Sequence, residues 1–244
     1  MKKIVLILAV VFCVPLNAFA ASTLIYDAAQ GSPLGQGWTL SNAAKGTYQV
    51  SNGLLTYDST GYPVNEFYRF YKALDFDLDH TVGFSIEFSA QVHSNYTNFD
   101  SRSGFVLYFF AHDSQALQIY FATDRIFYNR YDPTYASVKE EEYFINTTSA
   151  LVDYRVEVLN NSFALYANNT EILNGTLYDY GYSISNTLYI GDHTQSAYAR
   201  ASFGSILVTS DTIPTPPAAI PEPVSVVTLI CGLAGLMRRL IRTA

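Results

Sequence analysis

The chain has two cysteines in 244 residues, Cys13 and Cys231, and both sit in apolar stretches near its ends. The long interval between them has none. That excludes a disulfide framework and any thiolate metal site there. Basic residues are scarce as well. Residues 21 to 220 carry 20 acidic and 9 basic side chains, a net charge of −11. A surface of that sign repels nucleic acid and anionic lipid, and tolerates divalent cations and neutral polysaccharide. No glycine-rich phosphate loop, nucleophile-elbow serine or kinase signature occurs. His80, His93, His112 and His193 are scattered without an i, i+4 pair, whereas a zinc site needs convergent ligands. No apolar run reaches the roughly 20 residues of a stable transmembrane helix. Between the ends no stretch shows a helical apolar stripe.

What is present begins at the termini. Lys2 and Lys3 precede an apolar stretch from Ile4 to Leu16, and Ala18-Phe19-Ala20 places small residues where a signal peptidase reads. Residues 1–20 are expected to be a secretory signal peptide cut after Ala20. Cys13 lies inside the apolar stretch behind Phe12, the wrong setting for lipidation. At the other end Ile220-Pro221-Glu222-Pro223 leads into a 14-residue apolar run, Val224 to Met237, closed by Arg238, Arg239 and Arg242. The basic cluster holds this end on the cytoplasmic side. The run is short and contains Gly232, Ala234 and Gly235, so its hold on the membrane is expected to be transient. The layout resembles the PEP-CTERM sorting signal of Gram-negative bacteria, in its Pro221-Glu222-Pro223, its apolar stretch and its Arg238 and Arg239. That resemblance implies processing by an exosortase and delivery to the cell surface or exopolysaccharide matrix. A plain membrane anchor is the alternative.

Residues 21–212 are long enough for one domain with its own core. Residues 213–219, Ile-Pro-Thr-Pro-Pro-Ala-Ala, form an extended spacer before the 220–244 sorting segment. The domain pattern is β throughout. Phe84, Ile86 and Phe88 alternate with polar neighbours, as do Tyr154, Val156 and Val158. Phe105 to Phe110 and Leu117 to Phe121 are denser and read as central strands. Asn52-Gly53 between apolar runs marks a hairpin. Asn160-Asn161, Asn168-Asn169, Asn174-Gly175 and Gly191-Asp192 read as further turns. The expected fold class is all-β, a sandwich or barrel of antiparallel strands.

Residues 153 to 176 read strand, Asn-Asn turn, strand, Asn-Asn turn, strand. Leu188-Tyr189-Ile190-Gly191 and a last strand, Phe203 to Val208, follow. This resembles the closing half of a concanavalin-like or laminin-G-like jelly roll, with Phe84 to Phe88 as its early core strand. The resemblance implies a two-sheet antiparallel sandwich whose last strand returns beside the first, Leu24 to Asp27. Arg102-Ser103-Gly104-Phe105 and Asp124-Arg125-Ile126-Phe127 also resemble exported bacterial sandwich domains that carry interchangeable C-terminal anchors. That kinship implies fold and address but no activity.

Two residue sets are candidates for chemistry. Asp75, Asp77 and Asp79 are spaced by two, so on a strand they share one face. Jelly-roll glycoside hydrolases of the laminarinase type carry working carboxylates at such spacing. Those enzymes use Glu at both working positions, and no Glu-x-Asp-x-Glu run occurs here. A Ca²⁺ site and a solvated face are the other readings of the run. The second set is Arg102, Asp124 and Arg125, either an ion pair at the sandwich rim or a sugar-binding edge. A loop with Tyr128, Tyr131 and Tyr135 before Lys139-Glu140-Glu141-Glu142 would extend that edge. Asn95, Asn146, Asn160, Asn168 and Asn174 begin Asn-x-Ser/Thr triplets and read as turn asparagines.

The expected protein is exported and non-catalytic, acts at the cell surface or in the matrix, and is a candidate polysaccharide binder without a resident cofactor. Its processing partners would be signal peptidase and exosortase, and its membrane contact transient. The competing readings are a glycoside hydrolase or lyase on the same fold, and a purely structural matrix component.

Overall fold

The computed structural model describes residues 21–61, 67–97, 99–131, 137–181, 183–194 and 196–210. The expected leader, spacer and sorting segment lie outside the described residues, and with them Pro221, Glu222, Pro223, Arg238 and Arg239. Tyr135 lies outside them too. Among the described residues no helix is long and apolar enough to cross a membrane.

In chain order the strands are β1 (Ala21–Tyr26), β2 (Thr39–Ser41), β3 (Thr47–Ser51), β4 (Leu54–Asp58), β5 (Tyr68–Ala73), β6 (Phe84–Thr97), β7 (Val106–Phe110) and β8 (Gln115–Phe121). They continue with β9 (Arg125–Tyr131), β10 (Ser137–Phe144), β11 (Val152–Leu159), β12 (Ser162–Ala167), β13 (Thr170–Thr176), β14 (Tyr178–Asp179), β15 (Thr187–Asp192) and β16 (Ala197–Ser210). Single turns of 3-10 helix interrupt the chain between β1 and β3.

The strands form a two-sheet antiparallel jelly-roll sandwich. The first sheet runs β13-β12-β11-β6-β16-β4-β3, and β1 lies end to end with β4 along β16. The second runs β10-β9-β8-β7-β15-β5-β2, with β14 beside β8. The last strand therefore returns beside the first, Leu24 opposite Leu207. Alternation decides which side chains meet. Ile86 and Phe88 of β6, Val156 and Val158 of β11, and Phe203 and Ile206 of β16 face Leu107, Phe109, Leu117 and Ile119 of the second sheet in one buried cluster. Each such side chain contributes roughly 1.5–3 kcal/mol by leaving water.

The hairpin signals are explained by backbone chemistry. Asn52 and Gly53 both have positive φ, and Ser51 pairs with Leu54 across them. Asn160-Asn161 and Asn168-Asn169 do the same between β11, β12 and β13. Asparagine enters the left-handed region at low cost, which two-residue hairpins of the strand-matching twist demand. Two expected turns are strands instead. Asn174-Gly175 lies within β13, because a Cβ on Gly175 would stand 2.6 Å from the Tyr128 hydroxyl; the missing side chain serves packing. Gly191-Asp192 ends β15 for a similar reason, with Gly191 at φ 120° pressed against the Tyr68–Arg69 backbone.

Gly104, just before β7, lies directly against the β16 backbone. A Cβ there would lie 2.1 Å from the carbonyl carbon of Tyr198 in β16. Its own carbonyl accepts from the Tyr57 hydroxyl at 2.6 Å. Ser103 beside it donates to the Phe121 carbonyl at 2.5 Å. The Arg102-Ser103-Gly104-Phe105 motif is thus mainly a packing motif.

Candidate functional site

The aspartate run is not a strand. Asp75, Asp77 and Asp79 lie in the loop between β5 and β6. The alternation misled because Leu78 is fully buried and Phe76 packs on the core while the aspartates face out. Ladder bonding is missing: the Leu78 N–H is taken by the Asn186 side chain at 2.9 Å. Each bonded carboxylate has its own partner. Asp77 accepts from Asn186 Nδ2 at 2.7 Å, and Asp79 accepts from the backbone and hydroxyl of Thr81 at 2.8 and 2.7 Å. Among the described residues no three His, Cys, Asp or Glu side chains converge as a metal site would require.

Arg102, Asp124 and Arg125 do not pair with one another in the described contacts. Arg125 reaches Asp100 at 2.6 Å and Glu142 at 3.6 Å, while Lys139 reaches the same two carboxylates at 2.5 and 2.8 Å. This four-membered rim network closes the β9–β10 end of the second sheet. The Arg102 guanidinium lies 5.6 Å from the Phe99 ring, and Asp124 is exposed at the β8–β9 turn. Tyr128 and Tyr131 are strand residues of β9, and the Lys139–Glu142 stretch lies in β10, so these residues belong to paired strands and not to the expected loop. Tyr128 turns inward, edge-on to Phe163 at 4.9 Å, and burial raises its phenol. It is partly buried and packs against the core.

A different surface carries the concentration of chemistry: the outer face of the second sheet. Pairing places Tyr71, Tyr189, Tyr108, Gln118, Asn129 and Lys139 in one row across β5, β15, β7, β8, β9 and β10. In a pleated sheet residues directly opposite point to the same side. Tyr71 stacks on Tyr189 at 5.6 Å, and Tyr189 on Tyr108 at 5.5 Å. Tyr108, Phe110, Tyr120 and Phe127 form a second buried cluster on this face, separate from the sandwich core. That is why β7 and β8 read as continuous apolar runs. Gln118 is fully buried there, accepting from Tyr120 at 2.9 Å, and its Nε2 has no partner.

The β5–β15 end of this face is partly open. Arg69 lies opposite Gly191, where no side chain blocks it. Its guanidinium lies over the rings of Phe67 and Tyr189, at 4.5 and 4.6 Å from their centroids. Its Nη1 lies 2.8 Å from His193 Nε2. Arginine has no acceptor, so the histidine nitrogen accepts and carries no proton. His193 stacks on Phe67 at 5.0 Å and meets Tyr108 edge-on at 4.6 Å. Burial pulls Arg69 below its ordinary value, with the surrounding tyrosines pulling the other way. Burial raises the Tyr189 phenol, which Arg69 opposes.

Asp192 follows on the opposite face of β15. It is buried and takes bonds from Thr194 N at 3.0 Å, Thr194 Oγ1 at 2.9 Å and Ser59 Oγ at 3.0 Å. Burial nevertheless pushes its carboxyl up to about 7, against the pull of those bonds and of Arg69. The signal for this site was present in the stretch 67–71, Phe-Tyr-Arg-Phe-Tyr, an aromatic alternation with a charge on one of its faces. Its partners on β15 and β7 lie too far along the chain to be matched by pattern.

No family model matches the chain, and no curated protein matches it. Solved structures do. A carbohydrate esterase from Shiga toxin-encoding bacteriophage phi24B is 13% identical, with 79% of this chain and 100% of that one covered and a TM-score of 0.56. A family 7 alginate lyase in complex with substrate is 12% identical, with 78% and 93% covered and a TM-score of 0.50. At such identities the likeness shows the fold alone.

Proposed function

We propose that this protein is an exported, non-catalytic domain that binds polysaccharide along the outer face of its second sheet. The observation that carries the reading is the half-buried Tyr71–Tyr189 pair beside Arg69 and His193, backed by the buried Tyr108 ring. Flat aromatic faces suit the C–H faces of sugar rings, and convergent polar groups at their edge supply orientation. Several features support it. The strongly acidic chain disfavours nucleic acid and anionic membranes. The two fold relatives above are named for carbohydrate and alginate, which are carried here as a class of ligand. The leader over 1–20 and the Pro221-Glu222-Pro223 tail support export, exosortase processing and placement at the cell surface or matrix.

The test is a polysaccharide array probed with the full chain, alongside Tyr189→Ala and Tyr71→Ala. Binding weakened at least tenfold by either variant supports the reading. Release of new reducing or unsaturated sugar ends would replace it with the enzyme alternative. Silence across the array would favour a structural matrix role.

A further inference from the structure

We propose that Arg69 and His193 form an anion subsite, so that the saccharide bound on this face is an acidic one, recognised through a carboxylate or sulfate ester. The inference rests on the saccharide reading above and narrows it to a substrate class.

The starting point is a charge without an ion pair. Arg69 is half-buried, and among the described residues it makes no ion pair. A guanidinium drawn this far from water is costly unless an anion meets it. The carboxylates at the far edge of the same face, Asp100 and Glu142, are already engaged by Arg125 and Lys139. Asp192 lies on the other face of β15; Arg69 pulls its carboxyl down, but the two form no ion pair among the described contacts.

The donors are also arranged for an anion. Phe67 and Tyr189 hold the guanidinium carbon 4.5 and 4.6 Å from their ring centroids, which fixes where the charge sits. Its Nη1 is committed to His193, and Nε is shielded and has no partner. Because His193 Nε2 accepts, its proton sits on Nδ1, and Nδ1 too is shielded without a partner. Orphaned donors of this kind are uncommon in folded proteins and call for an explanation. An acidic acceptor suits a guanidinium that has no ion pair, as in arginine–carboxylate and arginine–phosphate pairs. A neutral sugar would leave the charge without one. With a net charge of −11 over residues 21 to 220, the domain offers no general attraction for polyanions. Selectivity for an acidic sugar must therefore come from a local site.

The experiment compares binding of the full chain to a polyuronate, a sulfated galactan and a neutral β-glucan by calorimetry at fixed low salt. Wild type should prefer one or both acidic polymers by roughly ten- to hundredfold, the worth of charge-assisted hydrogen bonds. Preference for the polyuronate assigns a carboxylate, and preference for the galactan a sulfate ester. Arg69→Met should erase the preference. His193→Gln, which keeps an acceptor for Nη1, should weaken it less. Arg130→Met, at a solvent-facing ion pair with Glu140, should leave it intact. Circular dichroism of each variant separates lost binding from lost folding, and Arg69→Lys supplies a second reading if the methionine variant unfolds. Equal affinity for all three polymers, unchanged in Arg69→Met, overturns the anion subsite and leaves the saccharide reading standing. Binding to none overturns both.

Discussion

Ser59 donates its hydroxyl to Oδ2 of Asp192 across 3.0 Å, joining the residue after β4 to the end of β15 inside the sandwich. The same hydroxyl oxygen accepts from Ala199 N at 3.0 Å, so one small side chain ties both sheets together. The carboxyl it serves sits at about 7 because burial outweighs these bonds.

The pH dependence follows from that value. The ordinary carboxyl of the unfolded chain titrates near 3.8, so the folded state holds the proton more tightly than the unfolded state does. This group's contribution is most favourable at low pH and is lost as pH rises from about 4 to about 7. The loss is on the order of 4 kcal/mol at most. Asp192→Asn should remove that slope and be more stable than wild type at pH 8, as read by urea unfolding across pH 4–8. An Asn variant that is less stable at pH 8 would show that the ionised carboxylate is the favoured form.

Gly104→Ala tests the close contact between the segment before β7 and the β16 backbone. A Cβ at 2.1 Å from the Tyr198 backbone has no flexible neighbour to displace. The expected loss is about 3 kcal/mol or more. An alanine variant that melts with wild type would mean that the segment before β7 moves off β16 far more easily than this contact implies.

Arg125→Met separates the rim network from the sugar-binding surface. Arg125 is engaged by Asp100 and Glu142 at the β9–β10 end, remote in the sheet order from β5 and β15. Stability should fall by about 1 kcal/mol, since the pairs are partly exposed. Polysaccharide affinity should stay within about twofold of wild type. A tenfold loss would return the binding surface to this edge.

Export makes a prediction of its own. Intact-mass analysis of surface-released protein should find nothing beyond the Pro221-Glu222-Pro223 region and a start after Ala20. A species still ending at Ala244 would rule out exosortase processing.

Much of the fold was legible because its signals are local. Asn52-Gly53 and the Asn-Asn pairs specify positive-φ hairpins within two residues, and the apolar runs of β7 and β8 announce a sheet covered on both faces. The misreadings came from patterns that local chemistry shares between structures. Asp75, Asp77 and Asp79 alternate with buried side chains in a loop, where one Asn186 amide replaces a neighbouring strand. Gly175 looked like a turn and is a gap left for the Tyr128 ring. Tyr128 looked like surface and packs on Phe163.

By itself the sequence determined the all-β class, the main hairpins, the lack of cysteine between Cys13 and Cys231 and the acidic composition. Those depend on backbone preference, side-chain alternation and composition, each readable over a few residues or as a sum. Its two ends carry the expectation of export in the same local form. The candidate site was decided only by tertiary structure. Arg69 and His193 are 124 residues apart, and the register of β5, β15 and β7 alone brings Tyr71, Tyr189 and Tyr108 into one stack. Which residue lies opposite which across a sheet is a property of the whole fold: a shift of one residue sends every side chain to the other face.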